Sequence, residues 1–531
     1  MASTDYWAEA PRQRQQMALF APTLDAMISP DDPVRLVDEL LAGLDWSAWE
    51  AGYDGKRGQP PIHPRIIAAA ILYGLCRGIR STRKLQEACC YRLDFMWLVE
   101  GRQIDYTTFA KFRTRFGPQL KDLFRQLGRL AMSLGLVRLA EVAFDGTRVK
   151  SQNSRYNTKT AKTLEEKLAA LDALFDQMMG EWDATEKQRQ LDEQDDSPTQ
   201  LPGPLADLDE RRKKVQAALE KARALDEQRR KDGINPQKNP AQVPMNDPES
   251  RVMPNKEGGY APNYTPTATT DGHCGFIVDC EVLGEVNETP QAVPSVDRIK
   301  ETFGQNPERF LTDSGNISGL VQQAMEERGI EFYAPVESQE PQPGNPVLRG
   351  DLTQAVPENE RGKLPRNPQG QLDKSAFVYV AAEDRYYCPQ GQVLEFEEHK
   401  PERQHGQHVQ HRIYRCEACA GCPLRALCVS TQNKGGRTIN RDEFTEVRQR
   451  TVARMSTPRA KQIYDQRPRI AETTFGILKA VFGMRQFLLC GLEKVRMEWR
   501  WAVNAFNLMK LVRNIGRMRA EFAELALATE V

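Results

Sequence analysis

The chain has 531 residues, 40% hydrophobic and 27% charged, with 73 Lys and Arg balancing 73 Asp and Glu to a formal net charge of zero. That length holds two or three domains, and no stretch reads as a secretory leader or an unbroken apolar twenty-mer, so a soluble cytoplasmic protein with no membrane partner is expected. The neutral total conceals two basic segments: residues 51–138 carry 16 Lys and Arg against 6 Asp and Glu, and residues 434–519 carry 19 against 7. Such a distribution points to a polyanion held at two places rather than to two ordinary Arg-rich helices.

After a Pro-punctuated lead-in, Pro64–Leu75 reads as a buried helix ending near Gly78, and Ser81 caps a second helix through Cys90. Asp105 caps a third, and Pro118–Leu134 forms a fourth. Arg77, Arg80, Arg83 and Lys84 cluster at the first helix–helix turn, with Lys111 and Arg113 on the third helix. Short helices with bases at the turn fit helix-turn-helix docking on a DNA duplex, and residues 1–137 are read as a helical DNA-binding domain. The competing reading is a packing module whose arginines are merely solvated.

Leu139-Ala-Glu-Val-Ala-Phe-Asp145 alternates like a half-buried strand and ends at Asp-Gly, followed by Arg148 and Lys150, so residues 138–160 open a second domain. Residues 161–193 and 205–231 are rich in Ala, Leu, Glu, Lys and Arg at helical period and read as an antiparallel helical hairpin, inserted with a Pro-rich loop over 161–263. Asp247 and Glu249 in that loop are weaker acid candidates because they lie on no predicted strand. The interrupted domain resumes over 264–336: a hairpin of Tyr264–Thr270 and Gly275–Leu283 turning at Asp271-Gly272, a helix at Ala292–Thr302, the strand Glu308–Asp313, a helix at Ile317–Arg328 and a strand at Glu331–Val336. Asp145 and Asp313 both end strands. A single Asp there is usually a turn residue. Two of them, followed late by Glu472 on a helix, sit where an RNase H-like mixed sheet would carry three metal-binding acids.

Five of the eleven cysteines crowd into residues 388–428, which suits a metal knuckle in a reducing compartment better than disulfides. Cys388, Cys419, Cys422 and Cys428 would make a Cys₄ zinc site within a linker and Cys-rich insertion over 337–432, with Cys416 spare and His399, His405, His408 and His411 able to substitute. Closely spaced cysteines also suit an iron–sulfur cluster. Residues 433–518 then supply C-terminal helices and 519–531 a tail. Tyr464–Lys479 reads as the start of an amphipathic helix with Ile470, Thr474, Ile477 and Leu478 on one side, where Glu472 and Lys479, seven residues apart, share a face beside Arg467 and Arg469. Trp499 and Trp501 read as core. The whole is multidomain α+β.

The segments Arg77-Gly-Ile-Arg-Ser81, Phe144-Asp-Gly-Thr-Arg-Val-Lys150, Leu311-Thr-Asp-Ser-Gly-Asn316 and Tyr464–Lys479, with the Cys-Pro-Leu-Arg-x-x-Cys element ending at Cys428, together resemble the DDE transposases of bacterial insertion sequences, in the branch with a Tyr–Arg–Glu–Lys signature. The resemblance runs from about residue 15 to 516. It implies Asp145, Asp313 and Glu472 as a catalytic triad holding two Mg²⁺ ions, and Tyr464, Arg467 and Lys479 as contacts to the transposon end. The family spacing has three residues between Arg and Glu, whereas four separate Arg467 from Glu472, so Arg467 and Arg469 both stand for the family's arginine. Arg148, Lys150, Arg467, Arg469 and Lys479 would neutralise phosphates. The function implied is DNA cleavage and strand transfer at terminal inverted repeats, with double-stranded transposon ends and target DNA as partners, a homodimer when assembled, and a nucleoid-associated location. The rival readings are an RNase H-like nuclease without strand transfer and a catalytically inactive DNA-binding descendant.

Overall fold

A computed structural model of the chain describes residues 23–53, 60–154, 156–193, 203–231, 233–255, 258–404, 407–430 and 435–529. The chain divides into two compact units, residues 1–130 with 477–531, and residues 131–476. No described helix is long and apolar enough to cross a membrane.

The first unit is helical: α1 (Pro33–Ala42), α2 (Pro64–Cys76), α3 (Thr82–Tyr91), α4 (Tyr106–Arg115), the start of α5 (Gly117–Ser133) and α13 (Leu492–Thr529). Because α2 is apolar on every side, it is buried from Ile66 to Leu75 and lies inside the unit. Gly78, at φ +75°, turns the chain out of α2 in a left-handed conformation that a side chain disfavours. Asp105 starts α4 by accepting a hydrogen bond from the Thr107 amide at 2.8 Å. Trp49 stacks on Phe112 at 5.6 Å, and Trp501 lies 6.1 Å from both rings. Trp499 and Trp501 are buried, as core residues should be.

The second unit is built on a mixed sheet. Its strands are β1 (Glu141–Gly146), β2 (Val149–Lys150), β3 (Arg251–Pro254), β4 (Tyr260–Asp271), β5 (Ile277–Leu283), β6 (Arg309–Leu311) and β7 (Glu331–Tyr333). The order across the sheet is β2, β4, β1, β6, β7, with β3 and β5 also paired to β4. β4 is antiparallel to β1, β6 runs parallel to β1, and β7 parallel to β6. Asp271, expected only as a turn residue, is fully buried; its carboxylate accepts from the Leu139 and Arg138 amides and holds the chain entering β1.

Inserted helices α6 (Ala161–Glu193) and α7 (Gly203–Lys231) pair as the helical period predicts, burying Leu164, Val215, Leu219 and Ala222. Arg212 joins Asp172 at 2.6 Å and stacks on Phe175. Helices α8 (Ala292–Phe303) and α9 (Gly319–Glu327) follow β5 and β6.

The Cys-rich region holds a second, five-stranded sheet absent from the sequence expectation: β8 (Val378–Val380), β9 (Arg385–Tyr387), β10 (Val393–Gln404), β11 (Gln407–Arg415) and β12 (Thr438–Asp442), paired in that order. It reaches past residue 432. After α10 (Thr445–Met455), the expected helix from Tyr464 is two helices, α11 (Pro458–Tyr464) and α12 (Arg467–Ala480). Pro468 explains the break, since its ring would collide with the Tyr464 carbonyl and it has no amide to donate.

Candidate active site

Strand register brings the first two acids together. Val142 and Ala143 of β1 pair with Phe310 and Leu311 of parallel β6, so two residues further on Asp145 and Asp313 meet at the same edge. Asp145 accepts from the Gly146 amide, and Asp313 caps the next turn by accepting from the Gly315 amide at 3.1 Å.

Glu288 joins them from the loop between β5 and α8. The carboxylate oxygens of Asp145, Glu288 and Asp313 all lie within 4.8 Å of one another. Arg148 donates to Glu288 at 3.3 Å, to Thr265 at 2.9 Å and to the Val286 carbonyl at 2.6 Å, fixing the loop. Thr289 donates to the Gly315 carbonyl at 2.9 Å, tying the Glu288 and Asp313 loops. A Cβ at position 146 would stand 2.8 Å from the Glu288 carboxyl carbon, so only glycine after Asp145 admits this approach. Nothing in the sequence marked Glu288, which lies in an irregular loop with no periodicity.

Arg467, on the inner face of α12, lies over the acids, its Nη2 3.4 Å from Asp145 and 3.7 Å from Asp313. Its buried Nε has no hydrogen-bond partner among the described residues. Tyr464 is half-buried, and burial raises its phenol pKa, with Arg467 opposing and Asp313 and Asp145 adding to the shift. Three hard oxygen donors this close, already neutralised in part by a guanidinium, fit a divalent cation. Glu472 and Arg469 are exposed on α12, whose buried positions are Arg467, Ile470, Ala471, Thr474, Phe475 and Leu478. Asp247 is buried elsewhere, accepting from Tyr264 at 2.5 Å, and Glu249 is exposed; neither joins the acids.

Cys388, Cys416, Cys419, Cys422 and Cys428 line one small cavity of about 20 Å³. The Gln390 amide donates to the Cys388 sulfur at 3.3 Å and the Arg437 amide to the Cys419 sulfur at 3.4 Å. Burial pushes the Cys416 and Cys428 thiols up to about 12. Among the described residues, no three of these sulfurs lie within 4.8 Å of one another, so the thiols are gathered without being closed into a tetrahedron. His399 is exposed and His411 buried in β11; neither lines the cavity. His405 and the His408 side chain lie outside the described residues.

The basic residues divide. Arg80 is engaged by the Gln486 carbonyl at 2.6 Å and Glu498 at 2.7 Å, and Arg113 donates to the Arg80 carbonyl. Burial lowers the Arg113 pKa to about 10. Arg77 is exposed but its guanidinium lies over the Tyr73 ring, and Arg83 lies over Tyr106. Lys84, Lys111, Lys150 and Arg469 are exposed, and Lys479 is partly so.

A family model described as a transposase DDE domain matches residues 387–512, and a second, described as a transposase domain (DUF772), matches residues 22–115. No curated protein matches the chain.

Proposed function

We propose that this chain, which the two family matches support as a DDE transposase of insertion-sequence type, binds the terminal inverted repeats of its element and cleaves and joins DNA strands. The observation that carries the reading is the pairing of Asp145 with Asp313 at one sheet edge beneath Arg467. An antiparallel neighbour on one side of β1 and two parallel strands on the other support an RNase H-like core.

Asp145, Asp313 and Glu472 are the carboxylates that would hold two Mg²⁺ ions, which supply a lowered pKa for the attacking water or 3′-hydroxyl and counter-charge for the leaving 3′-oxygen. Arg148, Lys150, Arg469 and Lys479 neutralise backbone phosphates, and Tyr464 and Arg467 orient the transposon end. In the joining step a 3′-hydroxyl bonds to a target phosphorus as that phosphorus releases its own 3′-oxygen. Exposed Arg83, Lys84 and Lys111 give the helical unit its DNA contacts, and joining two ends calls for a homodimer. Cys388, Cys419, Cys422 and Cys428 hold a structural Zn²⁺, supported by their shared cavity and by the two amides donating to sulfur.

The test is cleavage and joining of the element's own flanking repeats with Mg²⁺, comparing the natural chain with Glu472→Gln. Activity lost with binding intact supports the triad. Binding without cleavage by either protein favours the inactive descendant, and cleavage without joining favours the nuclease.

A further inference from the structure

We infer that Glu288 is a ligand of a divalent cation, together with Asp145 and Asp313, in the protein before DNA binds. The inference rests on reading this edge as the catalytic site, and adds to it an acid that the family signature does not include.

Three independent features place Glu288 there. Its carboxylate shares the 4.8 Å cluster with the two aspartates. Its loop is tied on both sides, to the segment after β1 by Arg148 and to the Asp313 turn by Thr289, so the carboxylate is set without DNA. Gly146 leaves the space it occupies. The cluster also draws a cation already: the Arg467 side chain, only 10% exposed, reaches Asp145 and Asp313 while its Nε stays unpartnered among the described residues. A buried guanidinium held by two carboxylates and lacking one hydrogen bond is a cation that a better-coordinated ion can displace. If Glu288 served only as the partner of Arg148, Glu288→Asp, which keeps the charge beside the aspartates, would keep the metal affinity.

The experiment is a Mn²⁺ titration of the full chain without DNA, followed by electron paramagnetic resonance, for the natural protein, Glu288→Gln, Asp145→Asn and Glu249→Gln. The expected result is affinity weakened about 10-fold or more by Glu288→Gln and by Asp145→Asn, with Glu249→Gln, an exposed acid outside the cluster, close to the natural protein. Affinity kept in Glu288→Gln but lost in Asp145→Asn overturns the inference and leaves the catalytic reading intact. Affinity kept in both overturns the assignment of the metal site itself. Glu288→Asp, which keeps the charge and shortens the reach, is expected to fall between the two, and separates loss of a ligand from loss of the fold.

Discussion

Gly146→Ala should uncouple metal binding from stability. The new Cβ would meet the Glu288 carboxyl carbon at 2.8 Å and its oxygens at 3.0 and 3.1 Å, and the carboxyl must retreat until the contact reaches at least 3.4 Å. That displacement is several times the ~0.2 Å within which ligand distances are held. The backbone at 146 is not left-handed, so alanine brings no strain there. Replacing the glycine stabilises by about 0.4–1 kcal/mol through the unfolded chain, and a displaced Glu288 rotamer costs about 0.5–1.5 kcal/mol. Net stability should therefore stay within about 1 kcal/mol. At an effective dielectric of about 20 a unit charge 4 Å away contributes about 4 kcal/mol. Part of that survives because Glu288 remains near, so a loss of about 1.4–2.7 kcal/mol is expected, or roughly 10- to 100-fold in Mn²⁺ affinity. Denaturant unfolding and Mn²⁺ titration measure the two quantities. Unchanged affinity at unchanged stability would refute the reasoning, since Glu288 would then have moved without consequence.

Arg467→Gln removes the guanidinium that competes for Asp145 and Asp313, and should tighten Mn²⁺ binding several-fold in the DNA-free protein while weakening binding of transposon ends; weaker Mn²⁺ binding would exclude competition. Arg80→Ala breaks a pair with Glu498 whose partners are 14% and 13% exposed, and should cost about 3 kcal/mol or more in unfolding free energy with little change in the salt dependence of DNA binding. Lys84→Ala should do the reverse, leaving stability within about 0.5 kcal/mol and reducing the salt slope by about 1. Cys419→Ser should remove zinc measured by elemental analysis of the purified chain and lower its melting temperature; zinc retained in full would reassign the ligands.

What the sequence disclosed follows from which features are local. Caps such as Ser81 and Asp105 are decided within four residues, and both helices start where those residues stand. Strands β1 and β6 alternate or run apolar, so the places of Asp145 and Asp313 were legible, and parallel pairing then made them neighbours. The five-stranded sheet was not legible because its long hairpin, Val393–Arg415, is rich in Glu, Arg and His, and among the described side chains of β10 only Leu394 is buried, so no apolar alternation marks that strand. Glu288 was hidden for a different reason. Its position depends on Arg148 and Gly146, about 140 residues away, and no local pattern records that.

The two candidate third acids differ in what holds them. Glu288 is fixed by hydrogen bonds that exist without DNA. Glu472 sits five residues after Arg467, about 140° around the helix from the face that meets the aspartates. Turning α12 to bring it inward would expose Ile470, Ala471 and Thr474, which pack among Ala143, Leu311 and Thr270. Exposing Ile470 alone costs about 1.5–3 kcal/mol, before the lost Arg467 contacts are counted. A rotation is therefore the expensive route. The break between α11 and α12 does not lower that cost, because Pro468 withholds only its own amide from Tyr464, while Asp465 and Gln466 still donate to the Lys461 and Ile463 carbonyls.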